Sequence, residues 1–172
     1  MNDKLLTITV PVYNTEEYLP KCLDSLIIDE YMDILEVLIV IDGSPDNSLT
    51  IAQEYAQRYP NTFIVINKEN GGHSSAINKG LELATGKYFN LLDSDDWFNK
   101  DSFKVFLERL SNLDVDLILT NYTKEFIFEN RTESYKLHSL PSNKLYDIKT
   151  IDRSLLSDKT LLEMHHTTFK TS

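Results

Sequence analysis

Short apolar runs alternate along the chain with stretches whose apolar positions recur at helical spacing. Leu5 to Val12 reads as a strand. Glu16 to Ile28 follows, with Leu19, Cys22, Leu23, Leu26 and Ile27 on one helical stripe. Leu35 to Ile41 is a nearly continuous β-branched run, suited to a parallel strand buried on both faces. Ser48 to Arg58 is helical and Pro60 blocks its extension. Phe63 to Ile66 is a third strand. Ser74 to Ala84 is a third helix, with Gly86 where a C-terminal cap is expected. Tyr88 to Leu92, Asp101 to Leu110 and Leu117 to Thr120 continue the alternation as strand, helix and strand. This order predicts an α/β fold: a doubly wound, mostly parallel sheet with helices on both faces.

The pattern changes after Tyr122, so 1–122 reads as an α/β half and 123–172 as a different region. Thr123 to Tyr135 suggests a hairpin around Glu129-Asn130. Ser139 to Lys144 is a turn-rich break, and Thr150 to Met164 suits short helices. The last residues show no clear final element, as though the region were cut short.

Composition narrows the classes. Seventeen Lys and Arg against 27 Asp and Glu give a net charge of -10. Such a surface repels polyphosphate, so nucleic acid is not an expected partner. A small nucleotide stays open, because a bound cation reverses the local sign. One cysteine, Cys22, forms no internal disulfide and fits a reducing compartment. No run is long and apolar enough for a bilayer span, and the first residues lack a signal-peptide pattern. The expected location is the cytoplasm, including the inner face of the membrane, with membrane contact made only by segments outside this chain.

Ligands of open parallel sheets bind outside the carboxyl ends of the strands, and the unusual polar sequences fall there. Strand one ends in Val10-Pro11-Val12-Tyr13-Asn14, and strand two in Asp42-Gly43-Ser44-Pro45-Asp46-Asn47-Ser48. Strand three ends in Asn70-Gly71-Gly72-His73, and strand four in Asp93-Ser94-Asp95-Asp96-Trp97. Three carboxylates in four residues repel one another without a cation. Oxygen ligands select Mg²⁺ or Mn²⁺, which leaves positions for a diphosphate. An acidic turn capping the next helix is the plain alternative. Asp42 suits a hydrogen bond from a base N–H, or an ordinary turn in which Asp46 or Ser48 caps helix two. Tyr13 stacks on a planar base or fills the core. Trp97 reads first as a core plug, Cys22 as packing, and His165-His166 as a surface pair.

These motifs, in this order, resemble glycosyltransferase family 2, enzymes of the GT-A fold, over roughly Leu6 to Tyr122. The resemblance rests on Val-Pro-Val-Tyr-Asn, Asp-Gly-Ser-x-Asp-Asn-Ser, Asn-Gly-Gly, Asn78-Lys79-Gly80, Ala84-Thr85-Gly86-Lys87-Tyr88 and Asp-Ser-Asp-Asp-Trp. It implies a UDP-sugar donor, Mn²⁺ or Mg²⁺, and inverting transfer to a hydroxyl of a saccharide or glycoconjugate acceptor, in bacterial-type polysaccharide synthesis. It further implies that Pro11 and Tyr13 border the nucleoside and that Asp42 binds the uracil edge. Asn70 and Gly71 line the base side. Asp95 is the main metal ligand, with Asp93 near the ribose or sugar as the other half of the DXD element. Two positions depart from the family: Ile41 replaces a frequent acid, and Ile77 replaces a frequent Arg that would contact phosphate. The catalytic base is expected beyond Ser172; Asp152, Asp158 and Glu163 are the carboxylates otherwise at hand. A sugar nucleotidyltransferase is the rival enzyme class, although Pro11-Val12-Tyr13-Asn14 is no Gly-rich basic loop. A non-catalytic nucleotide-binding module is the other rival.

Overall fold

The computed structural model describes residues 4–136, 144–147, 149–151 and 167–171. Strands β1 (Leu6–Val12), β2 (Leu35–Asp42), β3 (Phe63–Lys68) and β4 (Tyr88–Leu91) alternate with helices α1 (Leu19–Ser25), α2 (Ser48–Arg58) and α3 (His73–Leu83). Helix α4 (Lys100–Leu110) leads to β5 (Leu117–Leu119). Then come a hairpin of β6 (Tyr122–Phe126) and β7 (Arg131–Tyr135), and finally β8 (Thr167–Lys170). The main sheet has the order β3-β2-β1-β4-β8-β5, and the hairpin forms a separate two-stranded sheet. Pairings among β1 to β4 are all parallel, whereas β8 runs antiparallel to both β4 and β5.

Every residue of β1 and β2 is buried, because both strands have sheet neighbours and covered faces. Alternation sorts their side chains. Leu6, Ile8, Val10 and Val12 join Leu35, Val37, Ile39 and Ile41 in a core completed by α1, α2 and α4. The opposite face mixes polar Thr7, Thr9, Glu36 and Asp42 with Leu38 and Val40, all buried. Helix α3 packs there at close range, and a Cβ on Gly80 would lie 2.2 Å from Thr9 Oγ1. Glu36 anchors the start of β4. It accepts from Thr7 Oγ1 (2.6 Å), Thr85 N (2.9 Å) and Thr85 Oγ1 (2.7 Å), while Gly86 N donates to Thr7 Oγ1 (2.8 Å).

Several expectations need correction. Gly86 does not cap α3, which ends at Ala84 in extended backbone; instead it lets the chain pass against Leu6 and Thr7, where a Cβ would meet backbone at 2.5 Å. The first helix is shorter than its apolar stripe, because Pro20 fixes its first turn and a 3₁₀ segment, Asp29–Ile34, takes over after Ile28. The chain also has a late element: β8 inserts between β4 and β5, held by Asn90 Nδ2 to Thr167 O (3.0 Å) and to Thr168 Oγ1 (2.9 Å). The hairpin forms as expected, with Phe126 opposite Arg131 and the rings of Tyr122 and Tyr135 stacked at 4.9 Å. The turn at Ser139 to Lys144 lies almost wholly outside the described residues, as do the helices at Thr150 to Met164 and His165-His166.

Candidate active site

Strand β4 last pairs with β1 at Thr9 and Leu91, whereas β1 continues to Val12 beside Ile41 of β2. The carboxyl ends of β1 and β4 therefore part where the strand order reverses, the position at which such sheets bind ligands. A cleft of about 520 Å³ opens there. Its wall contains Pro11, Tyr13, Asp42, Asn70, Asp93 and Asp95. Gly71 is the one expected site residue outside that wall; its neighbour Gly72 lines it instead. Thr15, His73, Ala76 and Ser94 complete it beside Val12. Tyr13 is 52% exposed, so it is not a core residue and its ring is open to the cleft.

Asp42 forms the floor and is 2% exposed. Its Oδ1 pairs with the Lys68 ammonium and accepts from Gly71 N (3.0 Å); its Oδ2 accepts from Gly72 N (2.8 Å). Burial alone raises the pKa of this carboxyl, but the Lys68 and backbone hydrogen bonds outweigh it and hold the group below the ordinary carboxylate value. The side chain thus stays ionised and folds the glycine turn around itself. Gly43 and Gly72 both have positive φ, 66° and 86°, the backbone region that favours glycine. Gly43 also lies so close to Asn70 that a Cβ would meet Asn70 N at 2.8 Å.

The rest of the Asp-Gly-Ser segment is a clasp between loops. Asn14 N donates to Ser44 Oγ (2.7 Å), and Ser44 Oγ donates to Asp46 Oδ1 (2.6 Å). Asp46 Oδ2 accepts from Glu16 N (2.8 Å), and Glu16 Oε2 accepts from Asn47 N (2.7 Å). Asp46 also accepts from Ser48 N (3.1 Å) at the start of α2. Burial pushes the Asp46 carboxyl up, but these donors prevail and bring its pKa to about 2. The clasp fixes the loop that carries Tyr13, a role the sequence reading did not assign.

In the acidic segment, Ser94 is buried and accepts from Thr15 Oγ1 (2.9 Å). Asp96 N closes a turn on Asp93 O (2.9 Å). Asp95 is exposed in the cleft wall. Asp93 Oδ1 lies 2.9 Å from His73 Nε2, a partner that only the folded turn before α3 brings near. Among the described residues no three His, Cys, Asp or Glu side chains form a ready cage. Two cleft carboxylates nevertheless fit a hard cation, because Mg²⁺ is held by one or two carboxylates plus substrate phosphates. Trp97 is not a core plug: it is half-buried, with Lys21 Nζ 3.1 Å from its ring centroid. Cys22 is packing, and burial drives its thiol pKa far up.

The model of the family described as glycosyl transferase family 2 matches residues 7–170. The chain belongs to that family. Among curated relatives of this family-2 chain, the minor teichoic acid biosynthesis protein GgaB of Bacillus subtilis is 33% identical over 167 residues, which covers 91% of this chain but 18% of GgaB. Among solved structures, S. aureus TarS in complex with UDP-GlcNAc superposes with a TM-score of 0.58 at 30% identity, over 67% of this chain and 33% of that one. The mannosyltransferase PcManGT of Pyrobaculum calidifontis, in complex with GDP-Man and Mn²⁺, gives 0.59 at 25% identity, over 73% and 37%. This family-2 chain therefore spans about a fifth of GgaB and about a third of the two solved relatives. The fold is the expected GT-A type, a mostly parallel α/β sheet with helices on both faces. Among the described residues, no helix is long and apolar enough to cross a membrane.

Proposed function

We propose that this chain is the donor-binding portion of an inverting glycosyltransferase that uses a UDP-sugar with Mn²⁺ or Mg²⁺. The observation that carries the reading is the shared cleft: a buried, ionised Asp42 at its floor, with Asp93 and Asp95 in the same wall. The cleft volume suits a nucleotide-sized ligand. Asp42 accepts from uracil N3–H, Tyr13 stacks on the base, and Asn70 borders it. Asp95 holds the cation, with Asp93 beside the ribose or sugar and steadied by His73. The cation supplies charge neutralisation for the departing diphosphate. The acceptor is a hydroxyl of a bacterial saccharide or glycoconjugate, a class in keeping with GgaB's role in teichoic acid synthesis, and the enzyme works in the cytoplasm, including the inner face of the membrane. The base that deprotonates that hydroxyl lies outside the cleft residues named here, and Asp152, Asp158 and Glu163 lie outside the described residues.

Calorimetric titration of the 172-residue chain with UDP, GDP, CDP and ADP in Mn²⁺ tests the reading. UDP is expected to bind most tightly. Equal affinity for all four refutes a base-reading Asp42.

A further inference from the structure

Asp42 is held from behind by a cation. Lys68 closes β3 and lies in register with Asp42 across the β2–β3 pair. Its ammonium bonds Asp42 Oδ1 and donates to Glu69 O (2.6 Å). Lys68 is outside the cleft wall while Asp42 is inside it. The ammonium is therefore a positioning group behind the carboxylate and not a contact for the base.

Its effect follows from counting acceptor sites. Each carboxylate oxygen accepts about two hydrogen bonds. Among the described residues, Oδ1 is filled by Lys68 and Gly71 N, whereas Oδ2 holds only Gly72 N. One acceptor position remains, on one oxygen. Uracil presents a single donor, N3–H, between two carbonyls. Guanine presents two adjacent donors, N1–H and N2–H, which match a carboxylate only when both oxygens are free. Cytosine presents an acceptor at N3, which opposes the carboxylate, and only its N4–H₂ edge can donate to it.

We infer that Lys68 sets the donor nucleotide: by occupying Oδ1 it turns Asp42 into a single acceptor that takes uracil and refuses guanine. This inference rests on the proposal that Asp42 reads the base, and the two fail differently. Lys68→Met removes the ammonium and frees one position on Oδ1. Lys68→Ser leaves room for a displaceable water and serves as the second variant should the apolar one not fold. Circular dichroism identifies the folded variants, and calorimetry in Mn²⁺ reads UDP and GDP affinities for each. The UDP-over-GDP preference is expected to shrink about tenfold or more, the worth of one charge-assisted hydrogen bond, chiefly through tighter GDP binding. Lys68→Arg keeps a cation on Oδ1 and is expected to retain the wild-type preference. A merely structural lysine would weaken both nucleotides alike and leave their ratio unchanged. An unchanged ratio in either folded variant, with UDP still preferred by the wild type, overturns the role of Lys68. UDP binding in the wild type that tolerates an N3-methyl group overturns the base-reading Asp42 itself.

Discussion

Replacing Asp42 by Asn exchanges one carboxylate oxygen for an NH₂ group and tests the base contact without altering shape. The carboxylate accepts from Lys68 and Gly71 on Oδ1 and from Gly72 on Oδ2. An asparagine has one acceptor oxygen and one donor NH₂. The oxygen is needed opposite the ammonium, so the NH₂ takes the Oδ2 position. There it faces Gly72 N–H and, with UDP bound, uracil N3–H. Two donors then oppose each other where an ionised acceptor stood. Loss of a hydrogen bond to a charged group costs about 1.5–3 kcal/mol, so UDP affinity should fall roughly 10- to 150-fold. Cytosine N3 is an acceptor and meets the new NH₂ favourably, so CDP should gain on UDP in the same variant. The fold should lose about 1.5–3 kcal/mol, because the buried side chain gives up its charge beside Lys68 and its acceptor for Gly72 N, while water replaces part of what the exposed glycine turn loses. Calorimetric titration with UDP and CDP in Mn²⁺, alongside a thermal melt, reads all three effects. A folded Asp42→Asn protein with wild-type UDP affinity and no gain for CDP would refute the geometry assigned to Asp42.

Two further outcomes follow from packing and charge. Gly80→Ala places a Cβ 2.2 Å from the buried Thr9 Oγ1 and should cost about 1–3 kcal/mol by overpacking, read as a lower midpoint in thermal or urea unfolding. The Asp46 carboxyl is brought from 3.8 to about 2 by its donors; its stabilisation is complete above the unfolded value and disappears as pH falls through the folded one. Stability measured by urea titration should thus decline between about pH 4 and pH 2, and Asp46→Asn should be less stable at neutral pH and flatter across that window.

Local chemistry made the α/β half legible. The unbroken apolar runs of β1 and β2 announce strands buried on both faces, and α2 begins and ends where its stripe does. The polar turns after each strand were readable because a sheet of this kind gathers them at one edge. Pairing across the sheet was not readable. Thr167–Lys170 is four residues; Thr and Phe favour strands, but the run is too short to show an alternation that sets it apart from a loop. It is a strand because Asn90 bonds its backbone and Phe169 meets the ring of Phe89 at 5.1 Å. Lys68 and His73 escaped notice for the same reason: their importance arises from a register partner and from a turn, 26 and 20 residues from the aspartates they touch. Trp97 was misjudged because its apolar ring hid a cationic neighbour, Lys21.

The proposed nucleotide site needs both the cleft carboxylates and a divalent cation. Asp95 is exposed, so Asp95→Asn leaves the packing untouched while removing the oxygen ligand proposed for the cation. The most direct measurement is the UDP dissociation constant of wild type and Asp95→Asn, each in Mn²⁺ and in EDTA. EDTA is expected to weaken wild-type binding strongly, Asp95→Asn to bind weakly in both conditions, and both proteins to unfold at the same temperature. Equal UDP affinity in all four samples would overturn a cation-dependent site at Asp95.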